Sequence, residues 1–149
     1  MNSNTRHDYV FLLAALLCAA AVNAMAADTP FGWRVGPAAW SFNRFSFYEA
    51  LDKTASAGMS YIEAFQGQQL RPDTDAKIDV DLPDEAIAQL RAKLKEAKVT
   101  LTSIYIHKIP GEQAACRAVF EFARKLGVAF IVSEPEPEAL DIIEQCCNE

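Results

Sequence analysis

The chain is poor in the residues that mark the common cofactor sites. It has two histidines and four cysteines in 149 residues, with no CxxC pair and no Cys/His cluster, which argues against a structural zinc site. Glycine is sparse, at six residues. No GxGxxG, no P-loop and no GxSxG is present, so the dinucleotide fingerprint, the phosphate cradle and the serine-hydrolase elbow are excluded as motifs. The glycines fit helix caps and loops instead. Positive charge is also short: 14 Lys and Arg stand against 20 Asp and Glu, a net charge of −6. That balance argues against a nucleic-acid partner, which Lys and Arg would have to neutralise.

What is present is an ordinary globular composition, 51% hydrophobic and 23% charged. The length allows one domain with a real core. The first nine residues are polar and carry Arg6; Val10–Val22 is an apolar run rich in Leu and Ala. Ala24-Met25-Ala26 then gives the small-x-small pattern of a signal-peptidase site. Residues 1–26 read as a signal peptide cleaved after Ala26, with Ala24 the second candidate, and the mature chain as exported, periplasmic or secreted. The competing reading is an uncleaved anchor, because the run approaches the lower limit for a membrane span. A lipoprotein reading is weaker, since Leu17 precedes Cys18 where a small residue is wanted. After cleavage no membrane association is expected.

The mature chain alternates strand and helix signals. Arg34–Trp40 is the first strand candidate, made awkward by Pro37. Ser46-Phe-Tyr-Glu49 is a capping box opening a helix to about Ala57, with Gly58 as its left-handed cap. Met59–Glu63 is the second strand. A long polar connection, Ala64–Leu82, leads to a helix from Pro83 with Ile87, Leu90, Leu94 and Ala97 in a 3.6-residue stripe. Val99–His107 is the most strand-like stretch. Its apolar run without polar alternation predicts a strand covered on both faces. A third helix is expected over 112–126 with Gly127 as cap, a fourth strand over Val128–Val132, and a fourth helix from Pro137 with Leu140 and Ile143 inward. Four βα units in succession imply a parallel sheet with right-handed crossovers.

The segments Val35-Gly-Pro-Ala-Ala-Trp-Ser-Phe42 and Tyr61-Ile-Glu-Ala-Phe65, with Leu101–His107 and Phe130–Glu134, resemble the sugar phosphate isomerase/epimerase group of the xylose isomerase-like TIM barrel superfamily. The resemblance implies an α/β fold of the (β/α)8 type with sites at the strand C-termini. It also implies a divalent metal cofactor and proton or hydride transfer beside a sugar carbonyl. In that group the metal is held by Glu, Asp, His and Glu from the second half of the barrel. The chain supplies about four units, half of the roughly 250 residues a barrel needs, so residues 27–149 are expected to be an N-terminal half barrel, a fragment by this reading, with the metal ligands beyond Glu149. Two open sheet edges would make it poorly soluble or a homodimer.

Six residues carry the candidate chemistry. Glu63, His107 and Glu134, each expected at a strand end, are the catalytic candidates: a carboxylate there can act as a base or ligate metal, and an imidazole can ligate metal or bond a sugar hydroxyl. Their alternatives are a solvated glutamate and a histidine that caps its strand. Trp40 and Phe42 can stack on apolar sugar faces, or pack as core. Lys108 can pair with a phosphate or with Glu63, or simply face solvent. Gln66, Gln68 and Gln69 can donate to hydroxyls or only solvate the loop. Of the cysteines, Cys116 reads as a small helix residue. Cys146 and Cys147, being adjacent, are poor partners for each other. The leading function is an exported sugar or sugar phosphate isomerase/epimerase, active if completed by its second half. The alternative is a non-catalytic sugar-binding or interaction module, or an inactive truncated product. Endonuclease-IV-like repair enzymes share the superfamily, but export and acidity weigh against a DNA partner.

Overall fold

Pairing of apolar runs with intervening helices gives a three-stranded parallel sheet in the computed structural model, which describes residues 32–149. The signal-peptide expectation for residues 1–26 lies outside them. The strands are β1 (Tyr61–Phe65), β2 (Thr100–Tyr105) and β3 (Phe130–Val132), in spatial order β1-β2-β3. Helices α1 (Phe47–Ser56), α2 (Asp84–Ala97), α3 (Gln113–Leu126) and α4 (Leu140–Cys147) alternate with them. Single 3₁₀ turns cover Ala39–Phe42 and Pro137–Ala139. Among the described residues no helix is long and apolar enough to cross a membrane.

The first expected strand, Arg34–Trp40, does not form as one. It is reduced to a single parallel bridge between Ala38 and Glu63, supported by the Glu63 N–H donating to the Pro37 carbonyl at 3.1 Å. Pro37 has no N–H to return, and the chain turns into the 3₁₀ helix at Ala39. Gly36 lets this segment lie directly on β1: a Cβ there would stand 1.9 Å from the Tyr61 carbonyl oxygen.

β2 is not covered on both faces as its composition predicts. The register shifts by one residue between Ile62 and Glu63, so Ile62 pairs with Leu101 but Glu63 pairs with Ser103. Thr102 is the extra residue of this bulge, and its hydroxyl donates to the Ile62 carbonyl at 3.2 Å. The shift puts Leu101 and Ile104 on the face of Ile62 and Ala64, where all four are buried with Phe47, Leu51, Leu90 and Phe122. Glu63, Phe65, Ser103 and Tyr105 share the opposite face, which Phe130 and Val132 of β3 continue. Phe130 is 64% exposed and Val132 43%. The described helices therefore bury one face of the sheet and leave the other open.

The helix ends follow the sequence closely. Ser46 and Glu49 form the full capping box, Ser46 Oγ accepting from the Glu49 N–H while Glu49 Oε2 accepts from the Ser46 N–H. The next two orphan amides of α1, Phe47 and Tyr48, donate to the Gln69 and Leu70 carbonyls. The 66–82 connection is thus a folded strap over α1, with Gln68, Leu70, Ile78 and Leu82 buried. Glu112 caps α3, accepting from the Ala114 and Ala115 amides, and Gly127 ends it at φ 78°. In α4 Ile143 packs against the core as expected, but Leu140 does not. Leu140 is 52% exposed, while Ala139 and Cys146 are buried. The 3₁₀ turn after Glu136 winds the chain more tightly before the α-helix begins and so rotates Leu140 outward.

Candidate functional site

A cavity of about 500 Å³ opens on the uncovered side, at the C-terminal ends of the strands. Trp40, Glu63, Phe65, Tyr105, His107 and Glu134 line it, with Gln66 and Ala38 at its margin. Ligands bind at this end of parallel α/β sheets, where side chains from several strands converge.

Glu63 was expected to end its strand. Instead β1 runs on to Phe65, because Phe65 pairs with Tyr105 and the Gln66 N–H donates to the Tyr105 carbonyl at 2.9 Å. Glu63 is the middle residue of β1, held on both sides: the Ser103 hydroxyl donates to its Oε2 at 2.8 Å, and its own N–H reaches Pro37. His107 and Glu134 each lie two residues past the last residue of their strands. Their backbones are joined, since the Glu134 N–H donates to the His107 carbonyl at 3.0 Å. Tyr105 sits between their side chains. Its hydroxyl donates to Glu134 Oε1 at 2.9 Å and lies 3.0 Å from His107 Nδ1. The hydrogen bond to the Glu134 carboxylate holds the Tyr105 phenol above its ordinary range, helped by partial desolvation.

Trp40 supplies an exposed aromatic face and meets Phe65 edge-to-face, centroids 5.0 Å apart at 73°. Phe42 lies elsewhere, partly buried against the hydrophobic core. It follows Trp40 by two residues on a three-residue turn, so it points away from its neighbour's side. Lys108 also stands outside the cavity lining, in an exposed ion pair with Glu136, whose carboxyl it holds below the ordinary range. Of the three glutamines, Gln66 borders the cavity with its amide donating to Asp79 at 2.9 Å; Gln68 donates to the Phe45 carbonyl just before α1, and Gln69 to the Thr74 carbonyl within the strap. Sequence reasoning missed Ser103 and Tyr105. Both lie inside the apolar run of β2, and the signal for them is the alternation of Ser103, Tyr105 and His107 at two-residue steps.

Among the described residues no group of three or more His, Cys, Asp or Glu side chains can hold a metal ion. Glu63, His107 and Glu134 share a cavity but do not make a ligand set, so these residues do not fit the expected divalent metal. What the arrangement offers is a carboxylate fixed by a serine, a Tyr-His-Glu hydrogen-bonded trio and an aromatic platform.

No protein-family model and no curated protein matches the sequence. Among solved structures, an uncharacterized protein from Parabacteroides distasonis ATCC 8503 superposes with a TM-score of 0.72 at 32% identity, covering 78% of this chain and 49% of that one. A sugar phosphate isomerase/epimerase from the same organism superposes at a TM-score of 0.45 with 13% identity, covering 67% of this chain and 42% of that one, too distant to bear on function. The first match establishes a shared α/β fold of parallel βα units, and the chain spans about half the length of the solved structures it matches.

Proposed function

We propose that this chain forms the first wall of a sugar-binding site in an exported, xylose isomerase-like (β/α) barrel protein of the sugar phosphate isomerase/epimerase type. The observation that carries the reading is the pairing of an exposed aromatic face, Trp40 on Phe65, with the polar groups of Glu63, Tyr105, His107 and Glu134 in one cavity at the strand ends. Sugars present an apolar C–H face to aromatic rings and hydroxyls to carboxylates and imidazoles, so this lining matches their two-sided chemistry. The sequence resemblance supports the same class.

Glu63 is the base in this reading. It takes the proton from the carbon beside the sugar carbonyl, leaving an enediolate, and returns it to the former carbonyl carbon while the hydroxyl proton passes to the former carbonyl oxygen, which isomerises the sugar. Ser103 fixes one carboxylate oxygen, which orients the other. The Tyr105 trio faces the developing oxyanion and the hydroxyls. No step is assigned to a metal, because these residues do not assemble one. The test is deuterium uptake from D₂O by aldoses, ketoses and their phosphates, followed by NMR with the barrel protein completed by its second half. Exchange that disappears in Glu63→Gln supports the enzyme reading; no exchange with any sugar overturns it. A non-catalytic sugar-binding module is the second reading, for which the exposed Trp40 face and the cavity would suffice. It predicts saturation transfer to a sugar, lost in Trp40→Ala, without exchange. Export predicts a mature chain that begins at Ala27 by intact mass.

A further inference from the structure

The hydrogen bonds around Tyr105 fix a proton on the His107 imidazole two residues away. The Tyr105 hydroxyl lies 2.9 Å from Glu134 Oε1 and 3.0 Å from His107 Nδ1, and it carries one proton. An ionised carboxylate only accepts, so a 2.9 Å contact to it requires that the phenol proton point toward Glu134. If that proton pointed to the imidazole instead, two oxygen lone pairs would face each other across 2.9 Å, and a charge-assisted bond would be lost. The phenol oxygen can then only accept from Nδ1, which must hold its own proton. A neutral imidazole has one N–H, so its Nε2 is left bare.

We propose that Tyr105 is a positioning residue: with Glu134 it holds His107 in the Nδ1–H tautomer, so that Nε2 serves the cavity as a proton acceptor. A free histidine in water favours the opposite, Nε2–H form, so the site inverts a default preference. The backbone prepares the arrangement. The His107 carbonyl accepts from the Glu134 N–H at 3.0 Å and from Ser133 Oγ at 3.3 Å, which ties the two strand ends together before the side chains meet. Tyr105 stands two residues before His107, on the same side of the strand, with ring centroids 6.3 Å apart. The raised phenol range of Tyr105 agrees with donation to a carboxylate. A bare Nε2 selects a ligand that donates there. On the sugar reading above, which this last step alone rests on, that donor is a sugar hydroxyl.

The test is the two-bond ¹H–¹⁵N spectrum of the ¹⁵N-histidine-labelled full chain, at a pH where the ring is neutral. A His7→Gln background leaves His107 as the sole histidine. The expected spectrum shows mainly the Nδ1–H pattern. Tyr105→Phe removes the acceptor and returns the ring to mainly Nε2–H. Glu134→Ala does the same without touching the ring, because it frees the phenol proton to turn toward Nδ1. A majority of Nε2–H in the parent chain, or no change in both variants, overturns the proposal. Adding fructose 6-phosphate separates the two readings. An Nδ1–H ring whose Nε2 signal does not move keeps the tautomer assignment and counts against the sugar.

Discussion

Gly36→Ala tests whether the site depends on the close approach of the first segment to β1. The added Cβ would lie 1.9 Å from the Tyr61 carbonyl oxygen, 2.4 Å from its carbon and 3.0 Å from its Cβ. These are mostly backbone atoms, which cannot swing aside as a side-chain tip can. Ordinary contact begins near 3.4 Å, so the segment must retreat by more than 1 Å. That retreat breaks the Glu63 N–H bond to Pro37 and the Ala38–Glu63 bridge, and it lifts Ala39, fully buried, out of the core. A lost backbone hydrogen bond costs about 0.5–1.5 kcal/mol and overpacking about 1–3 kcal/mol, so the expected loss is about 2–4 kcal/mol. With a urea slope of about 1.5 kcal/mol/M, a 3 kcal/mol loss moves the unfolding midpoint down by about 2 M. Gly111→Ala is the control: its Cβ would meet Ala139 at 3.4 Å, an ordinary contact, and the change is expected to stay within about 0.5 kcal/mol. If the two variants unfold at the same urea concentration, the close approach of residue 36 is not what holds the segment.

Three further outcomes follow from the helix caps and the thiols. Ser46→Ala removes the α1 cap and is expected to cost about 1 kcal/mol in urea unfolding at neutral pH. The hydrogen bonds from Ser46, side chain first and backbone second, hold the Glu49 carboxyl below its ordinary range. A lowered folded-state pKa gives stability that is present above the unfolded value and is lost as pH falls through the folded one. Glu49→Gln should therefore flatten the stability-pH curve in the acid range and leave its slope at neutral pH unchanged. Among the described cysteines, burial, then its hydrogen bond with Cys146, pushes the Cys116 thiol up to about 12, whereas Cys147 is exposed. Alkylation of the native chain at neutral pH, mapped by peptide mass, is expected to label Cys147 first and Cys116 only after denaturation. Equal labelling of both would show that α4 does not stay packed on α3.

Much of the helical layer was legible because its signals are local. The Ser46–Glu49 box, the Ile87-Leu90-Leu94 stripe and the Gly127 cap each lie within one or two turns, and each forms as read. What failed to show depends on a partner far along the chain. The first strand dwindles to a bridge because Pro37 must pair with a strand more than twenty residues away, and it lacks the donor to do so. β2 reads as apolar on both faces because the bulge at Thr102 spaces Leu101 and Ile104 by three rather than two. A period-2 reading therefore places Ser103 and Ile104 without a consistent face. The site shows the same split. Glu63, His107, Glu134 and Trp40 stood out by residue type and position. Phe42 and Lys108 shared those features but are placed by the 3₁₀ turn and by Glu136. Tyr105 gains its role only from Glu134, whose strand the sequence does not pair with it by any local mark.

The sheet separates what holds the chain together from what the site can do. Along β1 the side chains alternate, Ile62 and Ala64 buried against the helices, Tyr61, Glu63 and Phe65 on the open face. The Glu63 carboxylate is held by Ser103, and its backbone N–H by the Pro37 carbonyl. Ser103 reaches it because the bulge moves β2 by one residue at that point; with an unbroken register Thr102 would face Glu63 instead. The same shift brings Tyr105 beside Phe65, while the unshifted pairing of β2 with β3, Tyr105 opposite Val132, sets the distance at which its hydroxyl spans His107 and Glu134. One irregular residue in a strand thus aligns Ser103 with Glu63, while the buried face closes over the bulge with Leu101 and Ile104 in place. Bulges are costly to a ladder, and they persist where they aim side chains. Here the aimed side chains are those of the candidate site.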